Sequence, residues 1–188
     1  PQPTPAPRLY ARLDGEGRLQ ETLLLGEPTA RVPIAGEGGE LVQVELEATE
    51  SVRLLTDAGF SVKGPCVVRV PGRDLIMECD GQLFGAGGEQ AGFGWLSASG
   101  GVRANFGEHR FEGEDLELRS FVSPSGDIEW KVRTQAKAEL RGDLTRGDVM
   151  PYEVTIGSDL EFVTVEGDLL IIRATDVDLS VRGARWFD

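Results

Sequence analysis

The chain has 188 residues, a length that suits one folded domain, and 40% of them are apolar, enough to fill a core. Its 32 acidic side chains outnumber 19 basic ones for a formal charge of −13, and the bases stand singly among acids, which repels phosphate backbones and argues against nucleic-acid binding. One histidine, His109, and two cysteines, Cys66 and Cys79, are too few for the usual nitrogen-and-sulfur zinc site; HExxH, P-loop and GxSxG motifs do not occur, and no apolar run approaches the roughly 18 to 20 residues of a membrane-spanning helix.

Pro1 to Pro7 (PQPTPAP) carries four prolines in seven residues, too stiff and donor-poor for a sheet, so residues 1–7 read as an extended linker ahead of a single β domain over 8–188. A chain starting without methionine at such a linker reads as a mature or trimmed form, whose missing front would hold a signal peptide or membrane anchor. Leu13 to Gly26 follows as a turn (Asp14-Gly15-Glu16-Gly17), a strand and a closing glycine before the next strand, Ala30 to Ile34. After the turn signal Gly36-Glu37-Gly38-Gly39, Val42, Val44, Leu46 and Ala48 alternate with Gln43, Glu45 and Glu47, the period of a strand with one covered face.

The next pair of strands fixes its own register. If Gly72-Arg73 is a two-residue type II′ loop, residues whose numbers sum to 145 face one another: Cys66 with Cys79, Val68 with Met77, and Val70 with Leu75. All six then share one face, so turn chemistry and hydrophobic pattern select the same register. Counting out from the turn, the cysteine pair falls at a non-hydrogen-bonded position, where the β-carbons approach most closely; a disulfide and two buried thiols are equally compatible with it.

Gly101 to Phe106 and Phe111 to Leu118 repeat the unit of glycine, apolar strand, tight turn and second strand. His109, beside the Gly107-Glu108 turn, reads as a solvated turn residue. Past the turn at Ser123-Pro124-Ser125-Gly126, Asp127 to Arg141 alternates without a break: Ile128, Trp130, Val132, Thr134, Ala136, Ala138 and Leu140 against charged or amide neighbours. Straight, that strand would run roughly 45 Å, so a bend or break is expected near Ala136 and Ala138. Leu144 to Asp168 fits the repeat poorly; Val177, Leu179 and Val181 restore the alternation, and Trp186 and Phe187 close the chain as a docking or partner-binding end. The acidic groups Asp176/Asp178 and Asp14/Glu16/Glu21 match neither a calcium loop nor a glycosidase pair, and the chain supplies no convincing catalytic set. It reads as a non-enzyme with no cofactor and no metal.

At Asp14 to Gly26 (D-G-x-G-R-L…G), Gly64 to Leu83 and Ser99 to Leu118, the sequence resembles the OstA-like proteins of lipopolysaccharide transport, the periplasmic bridge and its inner-membrane-anchored relative. The resemblance covers about two thirds of the chain. It implies an all-β fold: a twisted, partly open antiparallel β-jellyroll built from stacked hairpin-like repeats. It also implies a periplasmic lipid-binding and bridging protein holding lipopolysaccharide or a related lipid in an apolar groove. Further implications are assembly with other envelope transport proteins by edge-strand β-augmentation, or head to tail with copies of itself. On this chain the groove would be lined by Val68, Val70, Leu75, Met77, Val102, Phe106, Phe111, Leu116, Leu118, Ile128, Trp130 and Val132. The competing expectation is a structural or adhesive extracellular β-sandwich, carbohydrate-binding or not, whose apolar face is sealed.

Overall fold

A computed structural model describes residues 6–35, 41–56, 59–86, 95–122, 126, 128–146, 148–165 and 169–181. Residues 1–5 of the proline-rich segment, the turn signals at 36–39 and 123–125, and Trp186 and Phe187 lie outside the described residues, as do the side chains of Ile128, Asp176 and Asp178. The described chain is strand almost throughout: β1 (Arg8–Leu13), β2 (Leu19–Leu25), β3 (Thr29–Ala35), β4 (Leu41–Ala48), β5 (Ser51–Leu55), β6 (Gly59–Lys63), β7 (Cys66–Val70), β8 (Leu75–Cys79), β9 (Gln82–Ala86), β10 (Trp95–Phe106), β11 (His109–Val122), β12 (Ile128–Thr134), β13 (Ala138–Arg146), β14 (Asp148–Val165) and β15 (Leu169–Val181). All pairings are antiparallel and belong to one sheet, curled into a twisted, partly open β-jellyroll.

The curl comes from strands that serve two half-sheets. β10 pairs with β9 through Trp95–Ser99 and with β8 through Val102–Phe106. β11 likewise pairs with β13 through its first part and β12 through its last, and β14 pairs with the same two strands. The shorter strands are the two arms of similar bends, β2 into β3, β4 into β5, β6 into β7, β8 into β9 and β12 into β13. One half-sheet therefore runs β1-β2-β5-β6-β9 and the other β3-β4-β7-β8, and both continue through β10 and β11.

The bends are chained together by backbone hydrogen bonds. Ala48 N–H donates to Pro28 O, Thr49 N–H to Pro65 O, Gly64 N–H to Gly81 O, and Asp80 N–H to Gly100 O, so each corner is held by the next. Two positions demand glycine here. Gly100 has φ +90°, and a Cβ on Gly81 would lie 2.3 Å from the carbonyl oxygen of Ser99. At the β12–β13 corner a side chain takes over: Asp115 accepts from Thr134 Oγ1 (2.9 Å), Gln135 N–H (3.0 Å) and Ala136 N–H (3.0 Å). The alternating run over Asp127–Arg141 is thus interrupted at Gln135–Lys137, the region its length singled out.

The register of β7 and β8 is Cys66↔Cys79, Val68↔Met77 and Val70↔Leu75, as the alternation requires. The turn is different from the type II′ loop expected. Pro71–Arg73 forms a 3-10 turn closed by Asp74 at φ +48°, with the Asp74 N–H donating to Pro71 O. Proline starts such a turn well because its missing donor and fixed φ cost nothing there, and aspartate tolerates the left-handed region. Both loops are centred between Gly72 and Arg73, which is why the register is unchanged.

The segment that fits the repeat poorly, Leu144 to Asp168, holds the end of β13 and the 18-residue β14. Val177, Leu179 and Val181 of β15 pair with Ile156, Val154 and Tyr152 of β14. On the outward faces, cross-strand ion pairs such as Arg53–Glu21, Arg69–Glu47, Arg103–Glu78 and Arg133–Glu161 neutralise part of the acidic excess while staying solvated.

Candidate functional site

The inward face of each half-sheet is built from rows that cross the strands. One row runs Leu9–Leu24–Val52–Val62–Leu83–Ala98–Leu116, and in the other half-sheet another runs Leu46–Val68–Met77–Ala104–Phe111–Leu140–Val154. Period-two alternation delivers one residue per strand to each row, so the apolar lining is a direct product of the sequence pattern.

Eleven of the twelve candidate groove residues have described side chains, and all eleven are buried. Val68, Val70, Leu75, Met77, Val102, Phe106 and Phe111 come from β7, β8, β10 and the start of β11, in one half-sheet. Leu116, Leu118, Trp130 and Val132 come from the other. They converge on one apolar cluster, with Phe106 and Trp130 meeting at 5.6 Å between ring centroids. Ile128 lies on β12 with its side chain outside the described set. Val52, Phe60, Val62 and Leu83, from five-residue strands that the sequence reading does not separate, and Leu96, from the first part of β10, add to the lining. Their signal was present as Val52-x-Leu54, Phe60-x-Val62 and Leu83-x-Gly85, where glycine lets the Phe60 ring lie across β9.

The lining does not stop at the buried core. Along the first row Val52 is 0% exposed, Leu24 is half-buried, and Leu9 on β1 is 66% exposed. β1 is exposed along its whole length and pairs only with β2; β3 pairs only with β4, and β15 only with β14, among the described residues. Tyr10, Leu13, Leu19, Leu41 and Leu55 are further exposed apolar residues on or beside β1, β2, β4 and β5.

His109 is not a solvated turn residue. It opens β11 opposite Gly142, its ring lies 5.5 Å from Phe106, and its Nδ1 is 2.8 Å from the Tyr152 hydroxyl. A Cβ on Gly142 would come within 2.9 Å of both Tyr152 and His109, so that glycine leaves the space the pair occupies. Burial pushes the imidazole down to about 4, keeping it neutral. Arg73, expected at a turn tip, is also buried.

Cys66 and Cys79 sit opposite each other, both buried and unbridged, with sulfurs 3.2 Å apart. The Asp14 turn holds no ion cluster: its carboxylate accepts from the Glu16 and Arg18 N–H groups at 2.8 Å each, which is the work of an Asx turn. No group of three or more His, Cys, Asp or Glu side chains that could hold a metal occurs among the described residues. No helix among them is long and apolar enough to cross a membrane. Comparison with protein-family models, with curated proteins and with solved structures finds no match.

Proposed function

We propose that this is a non-enzymatic lipid-binding and bridging protein of the periplasm, which holds the acyl chains of lipopolysaccharide or a related lipid during transport to the outer membrane. The observation that carries this reading is the apolar row that passes unbroken from buried Val52 through Leu24 to exposed Leu9 on β1, whose other edge is unpaired among the described residues. An acyl chain entering there meets a surface continuous with the core, and each methylene it buries contributes about 0.8 kcal/mol. The edges at β1, β3 and β15, unpaired among the described residues, suit β-augmentation by envelope transport partners or by further copies of this chain. The sequence resemblance to OstA-like proteins at Asp14 to Gly26 points the same way.

A second reading, a structural or adhesive extracellular β-sandwich, draws on a different observation. Positions such as Val68, Met77, Phe111 and Val132 are 0% exposed, as in a sealed core. Site-specific photocrosslinking to lipopolysaccharide from Leu9, Trp130 and Val132 separates the two, with Lys131 as control because its side chain faces outward onto Glu161. Crosslinks from Leu9 together with Trp130 or Val132, and none from Lys131, support the groove. Absence of crosslinks above control at all three supports the sealed sandwich.

A further inference from the structure

Two nucleophilic side chains remain without a role in that reading, and they stand where two bends of the sheet meet. Cys66 begins β7 directly after the Gly64-Pro65 corner, and Cys79 ends β8 directly before the Asp80-Gly81 corner. They are registered partners across an antiparallel ladder. Either kind of opposed pair in such a ladder sets the Cα atoms about 4.5 or 5.5 Å apart, inside the span of a disulfide. Their sulfurs already touch at 3.2 Å. Both also border an open trough of about 510 Å³, flanked by Glu27, Glu47, Glu78 and Arg103, while their side chains stay almost wholly buried, Cys66 at 5% and Cys79 at 1% exposure.

We propose that Cys66 and Cys79 form a reversible cross-strand disulfide, made by exchange with an external disulfide that reaches them through this trough, and that the bond ties the two neighbouring bends together. The hydrogen bond from the Cys66 thiol to the Cys79 sulfur lowers Cys79 below the ordinary thiol range, assisted by the Gly81 amide, while the same bond raises Cys66. Either cysteine can open the exchange: it gives up its proton and attacks as the thiolate, displaces one half of the external disulfide, which leaves as a thiol after taking up a proton, and retains the other half as a mixed disulfide. The second cysteine then gives up its proton and attacks the first cysteine's sulfur, expelling the remaining half as a thiol. Two protein S–H bonds become one S–S bond, and the two electrons leave with the external disulfide, now two thiols.

The test is to take the reduced, folded chain through glutathione buffers of increasing oxidised fraction and follow intact mass, thiol titre and melting temperature. The expected result is loss of two hydrogens, no thiol remaining, and a melting temperature raised by roughly 5–10 °C. Cys66→Ser and Cys79→Ser should each stop at a single glutathione adduct on the remaining cysteine, and the Cys66→Ala/Cys79→Ala double variant should not respond. Wild-type chain that keeps both thiols in the most oxidising buffer, accumulates glutathione adducts without the internal bond, or forms that bond only in denaturant would overturn the proposal.

Discussion

Neutral His109 makes the stability of this fold depend on pH in a window where most carboxylates have finished titrating. In the unfolded chain the imidazole takes its proton near the ordinary 6.5, whereas in the fold burial against Phe106 and Tyr152 holds that event down to about 4. Between those values the unfolded state binds more protons than the folded one, so stability falls as pH falls. The contribution is fully present above about pH 6.5 and is lost as pH drops toward 4. At about 1.36 kcal/mol for each pH unit between the two values, the loss is about 3 kcal/mol. Urea unfolding at intervals from pH 7 to 4.5, for wild type and His109→Leu, isolates it, because leucine keeps an apolar group over Phe106 and removes the titration. The wild-type curve should fall more steeply than the variant curve across this window. Parallel curves would refute the reasoning, and would mean that the imidazole is solvated in the fold.

Other perturbations follow from the corners and the core. Asp115→Ala should destabilise by about 2–4 kcal/mol in urea unfolding, since it releases the Thr134 hydroxyl and two backbone donors at the β12–β13 corner, and Asp115→Asn should recover part of this by keeping one acceptor; a cost below about 0.5 kcal/mol for the alanine variant would remove the corner from the account. Gly85→Ala would place a Cβ 2.3 Å from the Phe60 ring and should cost about 1–3 kcal/mol, with Phe60→Leu in the same chain restoring part of the loss; additive effects in that double-mutant cycle would contradict the packing. Leu9→Asp should change unfolding stability by less than about 0.5 kcal/mol, because the side chain is exposed, yet weaken lipopolysaccharide capture several-fold in co-sedimentation if acyl chains enter at this edge; unchanged capture would count against that entry point.

Much of this architecture could be read from residues alone because alternation is unambiguous when charges mark the other face. Val42 to Ala48 and Ile128 to Val132 declare their strands in that way, and the sum of 145, common to the expected loop and the observed turn, places Cys66 opposite Cys79. The turn itself was less legible, since Pro71 and Asp74 favour a 3-10 geometry with the same centre as a two-residue loop. The division into half-sheets depends on corner hydrogen bonds between residues far apart in sequence, such as Gly64 with Gly81, and no local period encodes those. The setting of His109 escapes the sequence for a related reason: only the pairing of β11 with β13, and of β13 with β14, brings Gly142 and Tyr152 over it. The candidate groove residues were recognisable as one apolar set, while their degree of burial depended on two half-sheets facing each other.

The chained corners also make the molecule quasi-one-dimensional. Within each half-sheet the strands keep their chain order, from β1 with β2 to β14 with β15, and the strands skipped in one belong to the other, so each bent unit is stabilised by the unit before it and the unit after it. Such an arrangement grows by adding units at an end, in the manner of a ladder gaining rungs, without redesign of the middle. It also places the weakest cooperativity at the two terminal rungs, where amide exchange with solvent should be fastest and where a neighbour supplied by another molecule would stabilise the most.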